Sequence, residues 1–157
     1  MSTNGIENAA IALEASRRTG LLLSRACAML EMESGGRNVF GADAGQPNAL
    51  PDGWRDGAVT YLRFQYFWRR VKKGLVSNGV GPTQLTSAFL IEAANKAGGA
   101  WKVLPNMITG FAYLDQLIKA KGELHGFGAY NGSLQYGLEA QALRNKWHDL
   151  FTVGRFE

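Results

Sequence analysis

The chain has 157 residues, of which 46% are hydrophobic and 19% charged, with a formal net charge of +4 and a pI near 9.4. That balance suits one globular domain and excludes a disordered chain, because there are enough apolar side chains to bury a core and no long block of like charge to oppose it. The single cysteine, Cys27, excludes an internal disulfide, and the excess of cations favours a polyanionic neighbour such as nucleic acid, an anionic membrane surface or a cell wall rich in phosphate and carboxylate.

The opening Met-Ser-Thr-Asn-Gly-Ile-Glu carries neither a basic stretch nor an apolar run. No secretory signal is therefore expected, and residues 1–4 read as a flexible lead into a single domain made in a cytoplasm. A first helix is expected over residues 5–18 with Ile6, Ala10 and Leu13 on one face, and a second over residues 21–33. Leu21-Leu22-Leu23 is too short a run to span a bilayer, so no stable membrane insertion is expected. Residues 38–56, with Gly41, Gly45, Pro47, Pro51 and Gly53, keep no helical period and read as a long irregular loop with room for a short hairpin.

Thr60 is a natural N-cap for a helix to about Leu75, with Tyr61, Phe64, Trp68 and Val71 as its stripe. Thr83-Gln84-Leu85-Thr86 opens a helix to about Ala97 with Leu85, Phe89 and Ala93 inward. Pro105 starts a helix to Lys121 in which Met107, Phe111, Leu114 and Ile118 keep helical spacing. Residues 126–132, Gly-Phe-Gly-Ala-Tyr-Asn-Gly, read as a tight glycine-rich bend, and a last helix over residues 134–151 carries Leu138, Leu143, Trp147 and Leu150. About six helices and little strand make the expected fold class mainly α.

The second helix ends on a carboxylate in an odd place. With Leu22, Ala26, Met29 and Leu30 as its buried face, Glu33 falls on that face, whereas Glu31 lies roughly 200° away around the helix. A glutamate there must be paired, protonated or used, since lost hydration disfavours its charged form, and the negative end of the helix dipole adds to the effect. Both push its pKa upward, which is how a general acid is tuned for neutral pH. The plain alternative is a helix-end carboxylate that reaches solvent past Ser34-Gly35-Gly36.

Three stretches together carry a resemblance: Glu33-Ser34-Gly35-Gly36 closing a helix, Gly81-Pro82-Thr83-Gln84-Leu85, and Ala129-Tyr130-Asn131-Gly132. In this order they resemble the lysozyme-like superfamily of soluble lytic transglycosylases and goose-type lysozymes. With Arg37-Asn38-Val39-Phe40-Gly41 and Ser133 added, the pattern is similar to the glycan-cleaving domain of actinobacteriophage endolysins.

The resemblance implies a lysozyme-like fold and cleavage of the β-1,4 bond between N-acetylmuramic acid and N-acetylglucosamine in peptidoglycan, by hydrolysis or lytic transglycosylation. It implies Glu33 as the catalytic acid, Gln84 lining the glycan cleft, and Tyr130 and Asn131 holding the catalytic carboxyl and an N-acetyl sugar. It further implies no cofactor or metal, action as a monomer on glycan strands of the bacterial wall, and a holin-type partner that lets the protein out of the host cytoplasm. Two features depart from the pattern. Gly81-Pro82-Thr83-Gln84 stands where transglycosylases usually have Gly-Leu-Met-Gln, and the connection from Ser34 to Gly81 is long and holds Asp43, Asp52 and Asp56. Asp43, in a glycine-framed loop soon after Glu33, is the candidate second carboxylate, against its plain reading as a turn aspartate. The alternative from another class is a non-catalytic wall-binding or phage structural module.

Arg63, Arg69, Arg70, Lys72 and Lys73 alternate with aromatic residues on the third helix. The ordinary reading is an aromatic core stripe with a solvated basic face, and nucleic acid is not the expected partner. His125 and His148 lack metal-ligand spacing and read as structural.

Overall fold

A computed structural model describes residues 5–41, 50–75 and 78–154. It is mainly helical, as expected. Among the described residues there are seven helices: α1 (Ala9–Thr19), α2 (Leu23–Glu33), α3 (Tyr61–Lys72), α4 (Ala88–Lys96), α5 (Val103–Lys121), α6 (Glu123–Asn131) and α7 (Leu134–Val153). Strand pairing among them is limited to isolated bridges that tie Val39 to Ala58, Phe40 to Arg55 and Val80, and Val80 to Leu85.

Two apolar clusters form the interior. The larger joins α1, α2, α5, α6 and α7 through Met29, Leu30, Phe111, Leu114, Phe127 and Trp147. The smaller joins α3 and α4 to the bridged loops through Phe40, Phe64, Phe67, Val80, Leu85 and Ile91. The spacing read on α5 holds: Met107, Phe111, Leu114 and Ile118 are all buried. On α2, Ala26, Met29 and Leu30 are buried as expected, but Leu22 is 52% exposed because it is the extended N-cap residue before the helix begins.

Other faces differ from the sequence reading for identifiable reasons. Helix α1 starts only at Ala9, after Asn8 in the left-handed region, so it buries Ala9, Ala12 and Ala15 in place of Ala10 and Leu13. Helix α3 is capped by Thr60 as expected, yet it buries Phe64, Phe67 and Val71 and leaves Tyr61 exposed against the edge of Trp101. Helix α4 begins at Ala88 with Ser87 as its cap, later than read, so Ile91 and Ala94 face the core and Phe89 points outward at 78% exposure.

The bend read at residues 126–132 is α6 itself. Its glycines serve close packing there: a Cβ at Gly126 would lie 2.7 Å from the Ile118 Cα on α5. A Cβ at Gly137 would run into the Leu124 carbonyl of α6. That close approach turns α7 so that Tyr136, Gly137, Ala140 and Trp147 face inward, while Leu138 and Leu150 are exposed. The buried Cys27 thiol is pushed up to about 12 by burial, with the nearby Glu31 adding to the effect, and stays neutral at physiological pH.

Candidate active site

Glu33 is the last residue of α2, at the seam between the two clusters. The turn after it is pinned from both sides. The Ser34 hydroxyl donates to the Pro82 carbonyl at 2.7 Å and accepts from the Gly36 N–H at 3.1 Å, while the Glu7 N–H donates to the Gly35 carbonyl at 2.8 Å. The Glu-Ser-Gly-Gly stretch thus fixes the end of α2 to the loop that carries Gln84.

That loop is a tight turn, which corrects the reading of Gln84 at a helix start. Val80 and Leu85 exchange both backbone hydrogen bonds at 3.1 Å, with Gly81 (φ 78°) and Gln84 (φ 50°) both left-handed between them. Asn106 of α5, fully buried, holds the turn. Its Oδ1 accepts from the Thr83 N–H at 3.1 Å and from the Thr83 hydroxyl at 2.8 Å, and its Nδ2 donates to the carbonyls of Val80 at 3.0 Å and Ala100 at 3.3 Å. A Cβ at Gly81 would strike this amide. Thr83 is therefore a buried structural residue, tied to Asn106 through its N–H and its hydroxyl. The Gln84 side chain donates to the Val39 and Gly81 carbonyls at 3.0 and 2.9 Å.

Glu33, Gly41, Gly79, Gln84, Thr86, Tyr130 and Asn131 line one cleft. The structure thus brings together four of the five site residues read from sequence: Glu33, Gln84, Tyr130 and Asn131. The fifth, Asp43, lies outside the described residues. Gly41 and Gly79 make the floor, and a Cβ on either would lie 2.6 Å from the Gln84 amide oxygen.

The expected contact between Tyr130 and the carboxyl is not made. The Tyr130 hydroxyl donates to the Thr83 carbonyl at 2.7 Å, on the far side of the turn. The partner of the carboxyl is Tyr136 of α7, whose hydroxyl donates to Glu33 Oε1 at 2.5 Å. Tyr136 was missed because, in sequence, it is an unremarked residue one turn into a helix, and only the packing of α7 on α2 brings it to Glu33.

Glu33 is half-buried, and burial raises its carboxyl from an ordinary 4.5 to about 7, with the Tyr136 hydrogen bond pulling the other way. Burial and the adjacent carboxylate also raise the Tyr136 phenol, which stays a neutral donor. Glu31, two residues earlier, meets a different environment. It accepts from Trp147 Nε1 at 2.8 Å and Lys146 Nζ at 3.1 Å on the outer side of α2. One carboxylate is committed to holding α7, and the other stands at a cleft with a single hydrogen-bond partner, Tyr136, among the described residues.

No protein-family model, curated protein or solved structure matches this chain.

Replacing Tyr136 with Phe removes the donor that stabilises the carboxylate form of Glu33. The carboxyl then stays protonated to higher pH, so the alkaline limb of any Glu33-dependent pH–rate profile should move upward. An unmoved limb would mean that the hydroxyl does not act on the carboxyl.

Proposed function

We propose that this chain cleaves the β-1,4 glycosidic bond between N-acetylmuramic acid and N-acetylglucosamine of peptidoglycan, with Glu33 as the general acid. One observation carries the reading: a half-buried carboxyl raised to about 7 stands at a polar cleft, with one oxygen held by Tyr136. Near neutral pH a large fraction of such carboxyls hold their proton, and the group is still acidic enough to release it, which is the compromise a general acid needs. The resemblance of the Glu-Ser-Gly-Gly, Gly-Pro-Thr-Gln and Tyr-Asn-Gly stretches to lysozyme-like glycan-cleaving domains supplies the substrate class.

In the proposed step, the Glu33 carboxyl gives its proton to the glycosidic oxygen as the bond to the muramic anomeric carbon breaks. The sugar ring takes on oxocarbenium character, and Glu33 becomes a carboxylate that the Tyr136 hydroxyl is already placed to stabilise. The anomeric carbon then accepts either water or the ring's own 6-hydroxyl, which closes a 1,6-anhydro product, and in both routes the Glu33 carboxylate takes the proton that the attacking oxygen gives up. Asp43 is the proposed second carboxylate for the water route. The Gln84 amide and the Asn131 side chain supply neutral polar groups on the cleft wall for N-acetyl and hydroxyl groups of the sugars.

The test is loss of turbidity of a purified cell-wall suspension, followed by mass spectrometry of the released fragments. Muropeptides with reducing muramic ends mean that water attacked, and 1,6-anhydro ends mean that the substrate's hydroxyl did. A suspension that binds the protein but stays turbid and releases no glycan fragments overturns the reading in favour of a wall-binding module.

A further inference from the structure

The net charge of the chain is concentrated in one stretch. Residues 50–102 carry eight Lys and Arg against three Asp and Glu, a net of +5 where the whole chain has +4. Five of those cations, Arg63, Arg69, Arg70, Lys72 and Lys73, lie on α3 and its C-cap, which hold no acidic residue. Cations of the other helices find carboxylates: Arg18 pairs with Glu14, Arg25 and Arg144 with Glu123, Lys119 with Asp115, and Lys146 with Glu31. Among the described residues, no cation of α3 has a carboxylate partner. Three are laid on rings instead, Arg63 over Trp54 at 5.4 Å, Arg70 over Tyr66 at 5.5 Å and Lys72 over Trp68 at 5.6 Å. A ring face holds a cation in place without cancelling its charge.

The outward face of α3 carries more than charge. With Phe64, Phe67 and Val71 buried, the helical turn puts Leu62, Tyr66, Arg69 and Lys73 within about 60° of one another on the opposite side. Leu62 is 79% exposed, and Tyr66 is exposed as well. Arg69, Arg70 and Lys72 sit in the last turn, where the helix dipole favours cations. The dipole gives no reason for Arg63 in the first turn, nor for a leucine standing out among cations. A line of leucine, tyrosine and cations without carboxylate partners matches what a helix lying on an anionic lipid surface needs. The cations meet headgroup phosphates, and the apolar side chains enter the boundary below them. A hydrated polyanion, such as nucleic acid or a phosphate-rich wall polymer, would use the cations and leave Leu62 in water, since leucine has no ring on which a base can stack.

We propose that the outward face of α3 binds the surface of an anionic bilayer, with Leu62 and Tyr66 set into the headgroup boundary and the five cations against lipid phosphates. The contact is peripheral, because the other face of the same helix stays in the smaller apolar cluster through Phe64, Phe67 and Val71. None of these residues lines the cleft at Glu33, so the surface does not depend on the glycan-cleaving reading.

The test is co-sedimentation with vesicles of phosphatidylcholine alone and of a two-to-one mixture of phosphatidylcholine with phosphatidylglycerol. The native chain should bind the anionic vesicles on the order of tenfold more tightly or better, and the preference should shrink as salt is raised. Leu62→Ser, which keeps every charge, should bind the anionic vesicles about tenfold more weakly than the native chain. Arg69→Gln combined with Lys73→Gln should lose most of the preference. Lys119→Gln combined with Lys121→Gln makes the same charge change on α5 and should keep it. All five positions are exposed, so none of these changes disturbs the core. Equal binding to the two vesicles, or equal losses in the α3 and α5 pairs, overturns the proposal. Full binding by Leu62→Ser, or tighter binding of the native chain to duplex DNA or to soluble poly(glycerol phosphate) than to the anionic vesicles, overturns the lipid surface in favour of a hydrated polyanion.

Discussion

Glu33→Gln should lose glycan cleavage while remaining folded, with a rate lower by on the order of 10³-fold, within the range that general acids contribute. The amide keeps the shape of the side chain and can still accept the Tyr136 hydrogen bond at Oε1, so the loss isolates the acidic proton. Near-native release of muropeptides by this variant would remove Glu33 from the chemistry.

The same substitution should raise stability at alkaline pH, and the sign follows from linkage. The folded carboxyl titrates at about 7 and the ordinary value is 4.5. Between those values the folded chain holds a proton that the unfolded chain has released, so stability falls as pH rises through this window. Above it, the half-buried carboxylate costs about 2–3 kcal/mol relative to an unshifted one. Glutamine carries no such charge, so Glu33→Gln should melt higher than the native chain at about pH 9 and close to it at about pH 4. Equal melting temperatures at both would mean that the carboxyl is not raised.

Asn106→Leu should produce the largest loss of stability among single changes near the cleft. The leucine fills a similar space but leaves the Ala100 carbonyl and the Thr83 N–H without the partner each has now, and takes from the Val80 carbonyl its second donor while the Leu85 N–H remains. Each buried group left unpaired costs about 1–3 kcal/mol, so a total of about 3–5 kcal/mol is expected, allowing for relaxation. In a chain of this length that lowers the melting temperature by about 10 °C. The Gln84 turn loosens with it, because Thr83 is the turn's anchor on α5. A melting temperature within about 2 °C of the native value would show that the turn holds itself.

The parts of the fold that could be read from sequence are those set by local periodicity. Met107, Phe111, Leu114 and Ile118 repeat at helical spacing and are buried together on α5. Glu33 could be found because its neighbours Met29 and Leu30 declare the face it shares. Gly126 and Gly128 could not be assigned from sequence, since glycine marks both a loop and a close helix crossing. The sequence reading opens this helix at Thr83-Gln84-Leu85-Thr86, but bonds to a residue 23 positions away hold Thr83 in a turn, and the helix starts after Ser87. The register of α4, and with it the outward Phe89, follows from that start. Tyr136 had no local signal, because its role depends on a residue 103 positions earlier.

That separation orders events during synthesis. Glu33 leaves the ribosome about a hundred residues before Tyr136, and α7 also brings Trp147 and Lys146 to the neighbouring Glu31. Until α7 docks, Glu33 lacks the Tyr136 hydroxyl and Glu31 lacks the Trp147 and Lys146 donors. The two carboxyls at the end of α2 thus find these partners only after α7 has been made.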